Sequence, residues 1–379
     1  MFSDAGCGAA KALDEANKTN EFEITLVSPR EGFLLHKIGA LRAAIKGPGE
    51  WPTRVMVPTT QLFAKRQTGR IVQSTAVSVN EQDKTVQLQS GETLRWDVLI
   101  VATGGVSTSP GEPPRNITSQ AETAQYFADF AAQAAQSKSV LIVGSGPVGI
   151  ELAGEIRETC GPQVDIGIVS RSQNILEGPV PVHENGRKSL HALLVTERVT
   201  MHLGDELKTL PKFPVGKTWV KTPGGVELLS GKKVECDLVV FATGFTINSG
   251  FLPTEWLDKQ TGEVAINPET FQLTHRSDVF AFGDVAKTNF TKLGYIAMQD
   301  VPVVVGNVLL SLNGQAPTHK ISRPQVAGML VSFGAYQGRG LIFSFYTLGS
   351  WLSGLIKTRG MFTSKVWGFA GATLPSFST

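Results

Sequence analysis

Three glycines in the stretch VLIVGSGPVGIELAGE have the spacing of a loop that binds the pyrophosphate of a dinucleotide. Gly144, Gly146 and Gly149 form G-x-G-x-x-G directly after a run of Val, Leu and Ile that predicts a buried strand. The first glycine allows a tight turn, the second lets the backbone approach a pyrophosphate, and the third lets helix and strand pack closely. The pyrophosphate then lies at a helix N-terminus, where free N–H groups favour anions. The motif predicts dinucleotide binding rather than a purely structural glycine-rich turn.

The tip of the next strand bears on which nicotinamide dinucleotide fits. About twenty residues after the loop, an acidic residue would bind the ribose 2′-hydroxyl of NADH, whereas an arginine accommodates the 2′-phosphate of NADPH. The chain has Ser170, Arg171 and Ser172 there and no carboxylate. The sequence therefore predicts that NADPH is at least tolerated; the alternative is that Arg171 is a solvated surface charge.

Two carboxylates follow the glycine loop on one helical face, because Glu151 and Glu155 are spaced i, i+4. One interpretation leaves both solvated or paired at the surface. The other places Glu151 beside the nicotinamide, since the first helical turn faces the ligand.

A third candidate group is Asp284, which follows Gly283 at the end of the predicted strand DVFAFGDVA. Backbone N–H groups and a carboxylate would then lie at the carboxyl edge of a sheet, where ligands bind. Asp284 would accept hydrogen bonds from a polyol, or alternatively cap a helix N-terminus.

Composition excludes several other classes of function. The 379 residues are 41% hydrophobic and 18% charged with a net charge of +2, so we expect a soluble globular protein that does not bind nucleic acid. The three cysteines, Cys7, Cys160 and Cys236, lie far apart with no CxxC, which argues against disulfides, a zinc site or a redox pair. No metal site is predicted. The N-terminus resembles neither a secretory signal nor a myristoylation signal, so we expect a cytoplasmic protein.

Segments of β-branched residues alternate with helical patterns around these motifs, as in a parallel sheet covered by helices. The helix AAKALDEA precedes the strand EITLVS, and RIVQSTAVSVN, KTVQLQS and GETLRWDVLIVATGG predict a β-meander that ends in a buried strand. The Pro/Gly/Ser-rich residues 104–116 predict a linker. The unit then repeats, since VDIGIVSRS matches FEITLVSPR and KKVECDLVVFATGF matches ETLRWDVLIVATGG.

The predicted fold class is α/β, with two Rossmann-like domains, β-meander inserts and a small C-terminal region. Residues 1–115 would form the first part of one domain, 116–268 the second domain, 269–320 the return to the first, and 321–379 the C-terminal region. Within the last, residues 340–356 carry no charge. This stretch is short for a membrane span. One interpretation is a strand followed by a buried helix. The other is a hairpin that docks on a lipid surface, with apolar residues in the lipid (Trp351, Leu352, Leu355 and Ile356) and two cations at the headgroups (Lys357 and Arg359).

The order of motifs resembles the flavoprotein oxidoreductases that contain two dinucleotide-binding folds. That order is a glycine-loop helix, ATG (Ala102, Thr103, Gly104), GxGxxGxExAGE, a second ATG (Ala242, Thr243, Gly244) and then GD. The absence of CxxC sets the chain apart from the disulfide reductases. The stretches GFLLHK, GALRAAI and the aromatic C-terminus look more like the ferroptosis-suppressor and apoptosis-inducing-factor-like branch.

This resemblance implies an enzyme that uses FAD and NAD(P)H and passes electrons to a quinone. The carboxylate of Asp284 would bind the FAD ribitol, and the two ATG stretches would line the FAD and nicotinamide sites. The resemblance also suggests that Lys37 pairs with Glu151 near the flavin. A lipid quinone as acceptor would favour peripheral contact of the C-terminal region with a membrane surface, such as that of a lipid droplet or mitochondrion.

The N-terminus departs from the family pattern. Counting back from AAKALDEA, Gly6 or Gly8 takes the place of the third glycine of the FAD loop, and we expect the first strand and first two glycines to be missing. Two further hypotheses follow: a non-catalytic NAD(P)H-binding protein, or a fragment of a normal enzyme with a wrongly assigned start.

Overall fold

Strands and helices alternate through the first part of the chain, as the sequence predicts. The computed structural model describes residues 4–178, 182–289, 292–322, 328–342 and 346–377. The elements of this first part are α1 (Asp4–Ala16), β1 (Ile24–Ser28), β2 (Phe33–Leu35), α2 (Lys37–Lys46), α3 (Glu50–Val55), β3 (Met56–Pro58), β4 (Gly69–Gln73), β5 (Ala76–Asn80), β6 (Thr85–Leu88), β7 (Thr93–Arg95), β8 (Leu99–Val101) and β9 (Gly105–Ser107).

The predicted helix and buried strand at the start of the chain are α1 and β1. Strand β1 pairs in parallel with β4, and β5, β6 and β7 form the predicted antiparallel meander. The buried face of α1 includes Ala5, Ala9 and Leu13 and contributes to a core that it shares with β1 and β8. The apolar residues of the first glycine-loop helix therefore act as a core face, as their pattern predicts.

The second part of the chain forms one continuous sheet. Its elements are α4 (Gln120–Gln136), β10 (Ser139–Val143), α5 (Pro147–Cys160), β11 (Asp165–Ser170), α6 (Glu184–Thr196), β12 (Val199–Leu203), β13 (Trp219–Lys221), β14 (Val226–Glu227), β15 (Lys233–Val234), β16 (Leu238–Phe241) and β17 (Phe245–Ile247). The sheet order is β12-β11-β10-β16-β13, with the first four strands parallel. Strand β10 is central, so the glycine loop that follows it lies at the carboxyl edge of the sheet.

The predicted linker at residues 104–116 is only partly a linker, which corrects the prediction. Its residues 105–107 form β9, which pairs antiparallel with β17. Ser109, Gly111 and Glu112 are buried. The Pro, Gly and Ser content predicts a linker, but the backbone N–H and C=O groups of residues 105–107 find partners in β17 of the second part of the chain.

The chain then returns to the first part through β18 (Val279–Ala281) and α7 (Gly294–Leu312). Strand β18 pairs in parallel with β8, and α7 packs against α1. In the described residues the pairs β1–β4 and β8–β18 are separate ladders with no strand between them. Helix α7 is long and apolar enough to cross a membrane, but Val301, Val304 and Val308 are buried, as in a core helix. The length and apolar composition of α7 are therefore weak evidence that this helix spans a membrane.

The C-terminal region covers α5 and α6 of the second part. It consists of β19 (Met329–Phe333), β20 (Gln337–Ile342), β21 (Tyr346–Leu348), α8 (Ser350–Ser353), a π-helical turn (Gly354–Thr358) and α9 (Thr363–Phe369). A Cβ atom built on Gly154 of α5 would lie 2.4 Å from the Cα atom of Phe333, so only glycine permits this approach of β19.

The alternative of a strand followed by a buried helix within residues 340–356 is right for the strand, since β21 and the end of β20 fall there, and wrong for the helix, because Trp351, Leu352, Leu355 and Ile356 are exposed. Residues 343–345 lie outside the described part of the chain. The α/β class with two Rossmann-like parts is confirmed, and we retain the four-part division of the chain as a proposal.

Candidate active site

One cavity of about 1110 Å³ lies where the two Rossmann-like parts and the C-terminal region meet. Its walls come from the ends of β8, β10, β11, β16 and β18, from residues 105–112 and from the C-terminal region. The carboxyl ends of parallel strands gather their loops at one edge of a sheet, so the motifs found along the chain converge here. The volume exceeds that of a site for one drug-sized ligand, about 300–1000 Å³, so it suits more than one occupant.

The glycine loop after β10 has the geometry that its spacing predicts. Gly144 has a φ of +120°, and a Cβ atom on it would lie 2.3 Å from the carbonyl oxygen of Ala242. A Cβ on Gly149 would lie 2.0 Å from the carbonyl oxygen of Gly144. Gly146 caps α5 and has open space beside it. Gly144 and Gly146 line the cavity, whereas Gly149 lies beneath the loop and secures its contact with the helix.

The two ATG stretches face each other across the cavity and are tied together by the β9–β17 ribbon. Ala102, Thr103 and Gly104 follow β8, and their counterparts Ala242, Thr243 and Gly244 follow β16; all six residues line the cavity. The N–H of Asn248 donates to the carbonyl of Gly104, and the N–H of Thr108 donates to that of Gly244. This cross-linking fixes the distance between the two halves of the site.

The GD motif forms a 3₁₀ turn, Gly283–Val285, at the end of β18. Gly283, with a φ of +74°, and Asp284 both line the cavity. Helix α7 begins ten residues later with Leu293 as its N-cap, so the alternative of Asp284 as a helix cap is wrong. Lys292 donates to the main-chain carbonyl of Asp284 over 2.6 Å, which steadies the turn.

Glu151 lines the cavity and is paired rather than solvated. Its carboxylate accepts hydrogen bonds from the backbone and side chain of Ser332 at 3.1 and 3.0 Å, and from the ammonium group of Lys357 at 2.5 Å. Lys357 also donates to the carbonyl of Leu330 at 2.7 Å and lines the cavity. The pairing of Glu151 with Lys37 that we expected is therefore replaced by a pairing with Lys357.

Lys37 is the first residue of α2 and lines the cavity at another point. It forms an ion pair with Glu112 at 2.9 Å and donates to the carbonyl of Gly105 at 2.8 Å. The second oxygen of Glu112, Oε1, is buried without a hydrogen-bond partner among the described residues. Arg30 lies near this carboxylate, and burial lowers the pKa of Arg30 while the charge of Glu112 partly offsets that effect.

Arg171 lies at the cavity rim after β11, between Ser170 and Ser172, which line the cavity with it. Its side chain is 84% exposed and 3.8 Å from the carboxylate of Glu206, which also lines the cavity. The end of β11 thus presents a cation, Arg171, and beside it an anion, Glu206, that would compete with a phosphate group for the arginine. Gly6 is in the first turn of α1, and its neighbour Ala5 lines the cavity near Gly283.

Comparisons with known proteins identify the family. A profile of the pyridine nucleotide-disulphide oxidoreductase family matches residues 4–302. The chain belongs to this family. Ferroptosis suppressor protein 1 of Xenopus tropicalis is 28% identical over 373 residues, covering 98% of this chain and 94% of that protein. Apoptosis-inducing factor homolog A of Dictyostelium discoideum is 25% identical over 390 residues, covering 95% and 89%.

Solved structures show the same fold. The sulfide:quinone oxidoreductase of Aquifex aeolicus superposes with a TM-score of 0.70 at 15% identity, covering 98% of this chain and 91% of that one. Membership of the family confirms the α/β class, the oxidoreductase assignment, and FAD and NAD(P)H as the cofactors. The alternative of a non-catalytic NAD(P)H-binding protein is not favoured.

The residues at the GD end of the cavity fit FAD. Asp284 presents a carboxylate to the cavity, Ala5 places the first turn of α1 beside the GD turn, and the unpartnered oxygen of Glu112 offers a further acceptor. Gly104 and Gly283 have positive φ. A Cβ atom built on either residue would have no neighbouring atom closer than 3.8 Å, so a ligand can approach the backbone there.

Most of the site residues predicted from the sequence line the cavity, together with others that belong to no motif. Of the candidates, Gly6 and Gly149 alone do not line it. Lys357, Ser332 and Glu112 were not identified as site residues, because they belong to no motif. One of the two interpretations of residues 340–356 places Lys357 at lipid headgroups, because it follows an apolar run. A carboxylate such as Glu151 near the cavity needs a cationic partner, and this need was the signal in the sequence that could have pointed to Lys357. The chain has many lysines, however, and their spacing in the sequence does not show which one pairs with Glu151.

Proposed function

We propose that this chain is a flavin-dependent enzyme that takes a hydride from NAD(P)H and passes the electrons to a quinone. The observation that carries the proposal is that one cavity contains the glycine loop at Gly144–Gly146, the GD turn and the Glu151–Lys357 pair. Chemistry between two cofactors needs both to be held in one place with their reacting atoms aligned.

The chain's residues would bind and orient the two cofactors. When bound, FAD supplies the redox chemistry, because its ring system accepts a hydride and gives up electrons. Gly146 and the N-terminus of α5 would hold the nicotinamide dinucleotide pyrophosphate, and Asp284 would accept hydrogen bonds from the ribitol. The β9–β17 ribbon would keep the two ATG stretches at a fixed spacing so that the rings can stack.

Lys357 would hold a proton for the acceptor. Reduction of a quinone to a quinol takes up two electrons and two protons. The hydride of NAD(P)H carries both electrons and one proton, so one further proton must be donated at a quinone oxygen. The ammonium group of Lys357 lies in the cavity and donates a hydrogen bond to the carboxylate of Glu151. Glu151 would orient this ammonium group and stabilise its charge.

The cavity walls support a quinone rather than a disulfide as acceptor. Its C-terminal wall contains the apolar residues Met329, Leu330 and Phe362. All three cysteines lie in the described part of the chain, and none of them lines the cavity. Thiol–disulfide exchange needs a cysteine at the site, whereas a quinone ring needs an apolar pocket.

We further propose that the C-terminal region touches a lipid surface. Trp351, Leu355 and Ile356 are 68%, 56% and 45% exposed within six residues, and the exposed Arg359 follows them. An apolar face with adjacent cations is the pattern of an interfacial helix. Lys357, the next residue after Ile356, lines the cavity, so a lipid-soluble quinone would reach the site directly from the membrane.

Steady-state oxidation of NADPH and NADH tests the acceptor class. We expect turnover with a short-chain ubiquinone analogue and none with glutathione disulfide. Turnover with the disulfide alone, or with neither compound by protein that contains flavin, would contradict the proposal.

A further inference from the structure

Helix α5 carries three glutamates along one face, and two of them hold the C-terminal region. Glu151 pairs with Lys357, and Glu158 accepts a hydrogen bond from the backbone N–H of Ala335 at 2.5 Å. Between them, Glu155 is 1% exposed and contacts α2 of the first part instead. This middle glutamate lies where the two Rossmann-like parts and the C-terminal region meet.

The partner of Glu155 is Arg42 of α2, which is fully buried. Its Nε and Nη2 atoms donate to the carboxylate of Glu155 at 2.6 to 2.9 Å. Its remaining nitrogen, Nη1, donates to the carbonyl of Thr358 at 2.6 Å and to that of Arg359 at 3.2 Å. The face of Trp51 lies 4.8 Å from the guanidinium carbon. One side chain therefore joins all three parts of the structure.

The two carbonyls that Arg42 holds follow Lys357 directly. Lys357 lies in the π-helical turn Gly354–Thr358, a geometry that is rare and leaves backbone groups without their usual helical partners. The hydroxyl of Thr358 donates to the carbonyl of Ala335 at 2.7 Å, so this residue is fixed on both its main chain and its side chain. The position of the Lys357 backbone depends on these contacts.

A second contact from the same helix secures the far end of the segment. The Nε2 atom of His36, the N-cap of α2, donates to the carbonyl of Met361 at 2.6 Å. Met361 and Phe362 both have positive φ, which non-glycine residues adopt only when their surroundings hold them there. Helix α2 and its N-cap therefore hold the carbonyls at both ends of residues 358–361, and the next residue, Phe362, lines the cavity.

A buried ion pair is a poor source of stability, because desolvation of two charges offsets most of their attraction. Stability alone therefore does not explain why a charged pair, rather than two apolar residues, occupies the positions of Arg42 and Glu155. A guanidinium group supplies five donors in a fixed plane, enough to bind a carboxylate and two carbonyls at once. Apolar residues would fill the space but would not hold the carbonyls.

We propose that Arg42 is a positioning residue that sets the place of Lys357 by fixing the backbone that follows it. Glu155 orients the guanidinium group, and the carbonyls of Thr358 and Arg359 are its working contacts. The inference rests on the proposed function in one respect, the part that Lys357 plays in quinone reduction. The anchoring itself is a property of the chain without cofactors.

The test uses Arg42→Met/Glu155→Leu, which leaves no buried charge unpaired. Limited trypsin digestion of the full chain, with peptides identified by mass, reports cleavage after Lys357 and Arg359 without any need for activity. We expect cleavage there to rise by about tenfold, because two hydrogen bonds from a charged group are lost. The exposed ion pair of Lys208 with Glu227, in the second part of the chain, gives the control, Lys208→Gln, which should be cleaved after Lys357 and Arg359 like the wild type.

Kinetics supply the second measurement. In the flavin-containing double variant, kcat with the quinone should fall by about tenfold or more, while the KM for NAD(P)H stays unchanged, since the glycine loop is untouched. Arg42→Lys, which keeps the charge but not the fork of donors, should show the same pattern more weakly and serves if the double variant does not fold.

Two results would overturn the proposal: wild-type cleavage after Lys357 and Arg359, or unchanged kcat, in a folded variant. If instead the wild type shows no quinone reduction while cleavage rises as expected, the anchoring holds and the proposed function fails.

Discussion

The ammonium group of Lys357 lies 2.5 Å from the carboxylate of Glu151, although 206 positions separate the two residues in the chain. One belongs to the C-terminal region and the other is the fifth residue of α5, the helix after the glycine loop. Their contact places a charged pair at the cavity between the glycine loop and the wall that contains Met329 and Leu330. The pair therefore links the C-terminal region to the chemistry proposed for the site.

Replacement of either member of this pair should slow turnover. We expect Lys357→Met and Glu151→Gln each to lower kcat with a quinone analogue by roughly tenfold to a hundredfold, because a positioned proton donor contributes about this much or more. The double variant should be no slower than the slower single variant, since the two groups act as a unit. Lys65→Met, at an exposed lysine far from these elements, is the control. Additive losses in the double variant would argue against a shared role.

Alanine substitutions at two glycines of the loop should have different effects, one on NAD(P)H binding and the other on stability. Gly146→Ala should leave the melting temperature nearly unchanged, because no atom lies within 4 Å of the added Cβ, but it should weaken NAD(P)H binding at the pyrophosphate. Gly149→Ala places its Cβ 2.0 Å from a carbonyl oxygen and should destabilise the fold by about 1–3 kcal/mol. Thermal melts and titration of NAD(P)H separate the two. Equal loss of stability in both would refute the assignment.

Cofactor preference should depend on the pair at the tip of β11. Arg171→Gln should weaken NADPH binding by about tenfold, the effect of roughly 1.4 kcal/mol, and change NADH binding little. Glu206→Gln removes the carboxylate 3.8 Å from Arg171 and should favour NADPH. Dissociation constants for both nucleotides measure this directly. Loss of NADH and NADPH affinity to the same extent in Arg171→Gln would show that the arginine is not a 2′-phosphate ligand.

The exposed apolar face of the C-terminal region should govern membrane binding. Trp351→Ser/Leu355→Ser should reduce co-flotation with phosphatidylcholine vesicles that contain anionic lipid, while turnover with a water-soluble quinone is kept. Leu229→Ser, at a side chain that is 59% exposed in the second part of the chain, is the matched control. Vesicle binding that is equal in all three proteins would exclude this face as the contact.

Acid should destabilise the chain through Asp278, at the start of the GD strand. Burial would raise the pKa of Asp278, but hydrogen bonds and charge from Arg276 and Lys84 prevail and hold it at about 2, below its ordinary value of 3.8. A lowered pKa means that the stabilisation is complete above the ordinary value and is lost as pH falls toward about 2. Asp278→Asn should lower the free energy of unfolding by on the order of 2 kcal/mol at neutral pH. The difference in stability between wild type and variant should shrink as the pH falls from the ordinary pKa toward the lowered one. A constant gap in pH-dependent unfolding would contradict this cause.

The sequence predicts those parts of the structure in which local spacing determines geometry. The three glycines, the two ATG stretches and the GD turn lie on short loops after buried strands, and parallel pairing brings such loops to one edge. These features needed no knowledge of distant contacts.

Features that arise from long-range packing were not predictable in this way. The partner of Glu151 depends on how β19 and the π-helical turn pack over Gly154, and no local pattern encodes that choice of lysine. The strand within residues 104–116 forms only because β17 supplies a pairing edge. Glu155 resembles an ordinary helix-surface residue until Arg42 of another part of the chain covers it.

The most direct test of the proposed function is an anaerobic single turnover of the purified protein followed by visible flavin absorption. We predict a yellow protein whose flavin band bleaches on addition of NAD(P)H and returns on addition of a ubiquinone analogue, with quinol formed in equal amount. A colourless protein that binds NAD(P)H, or a flavin band that NAD(P)H leaves unchanged, would contradict the account.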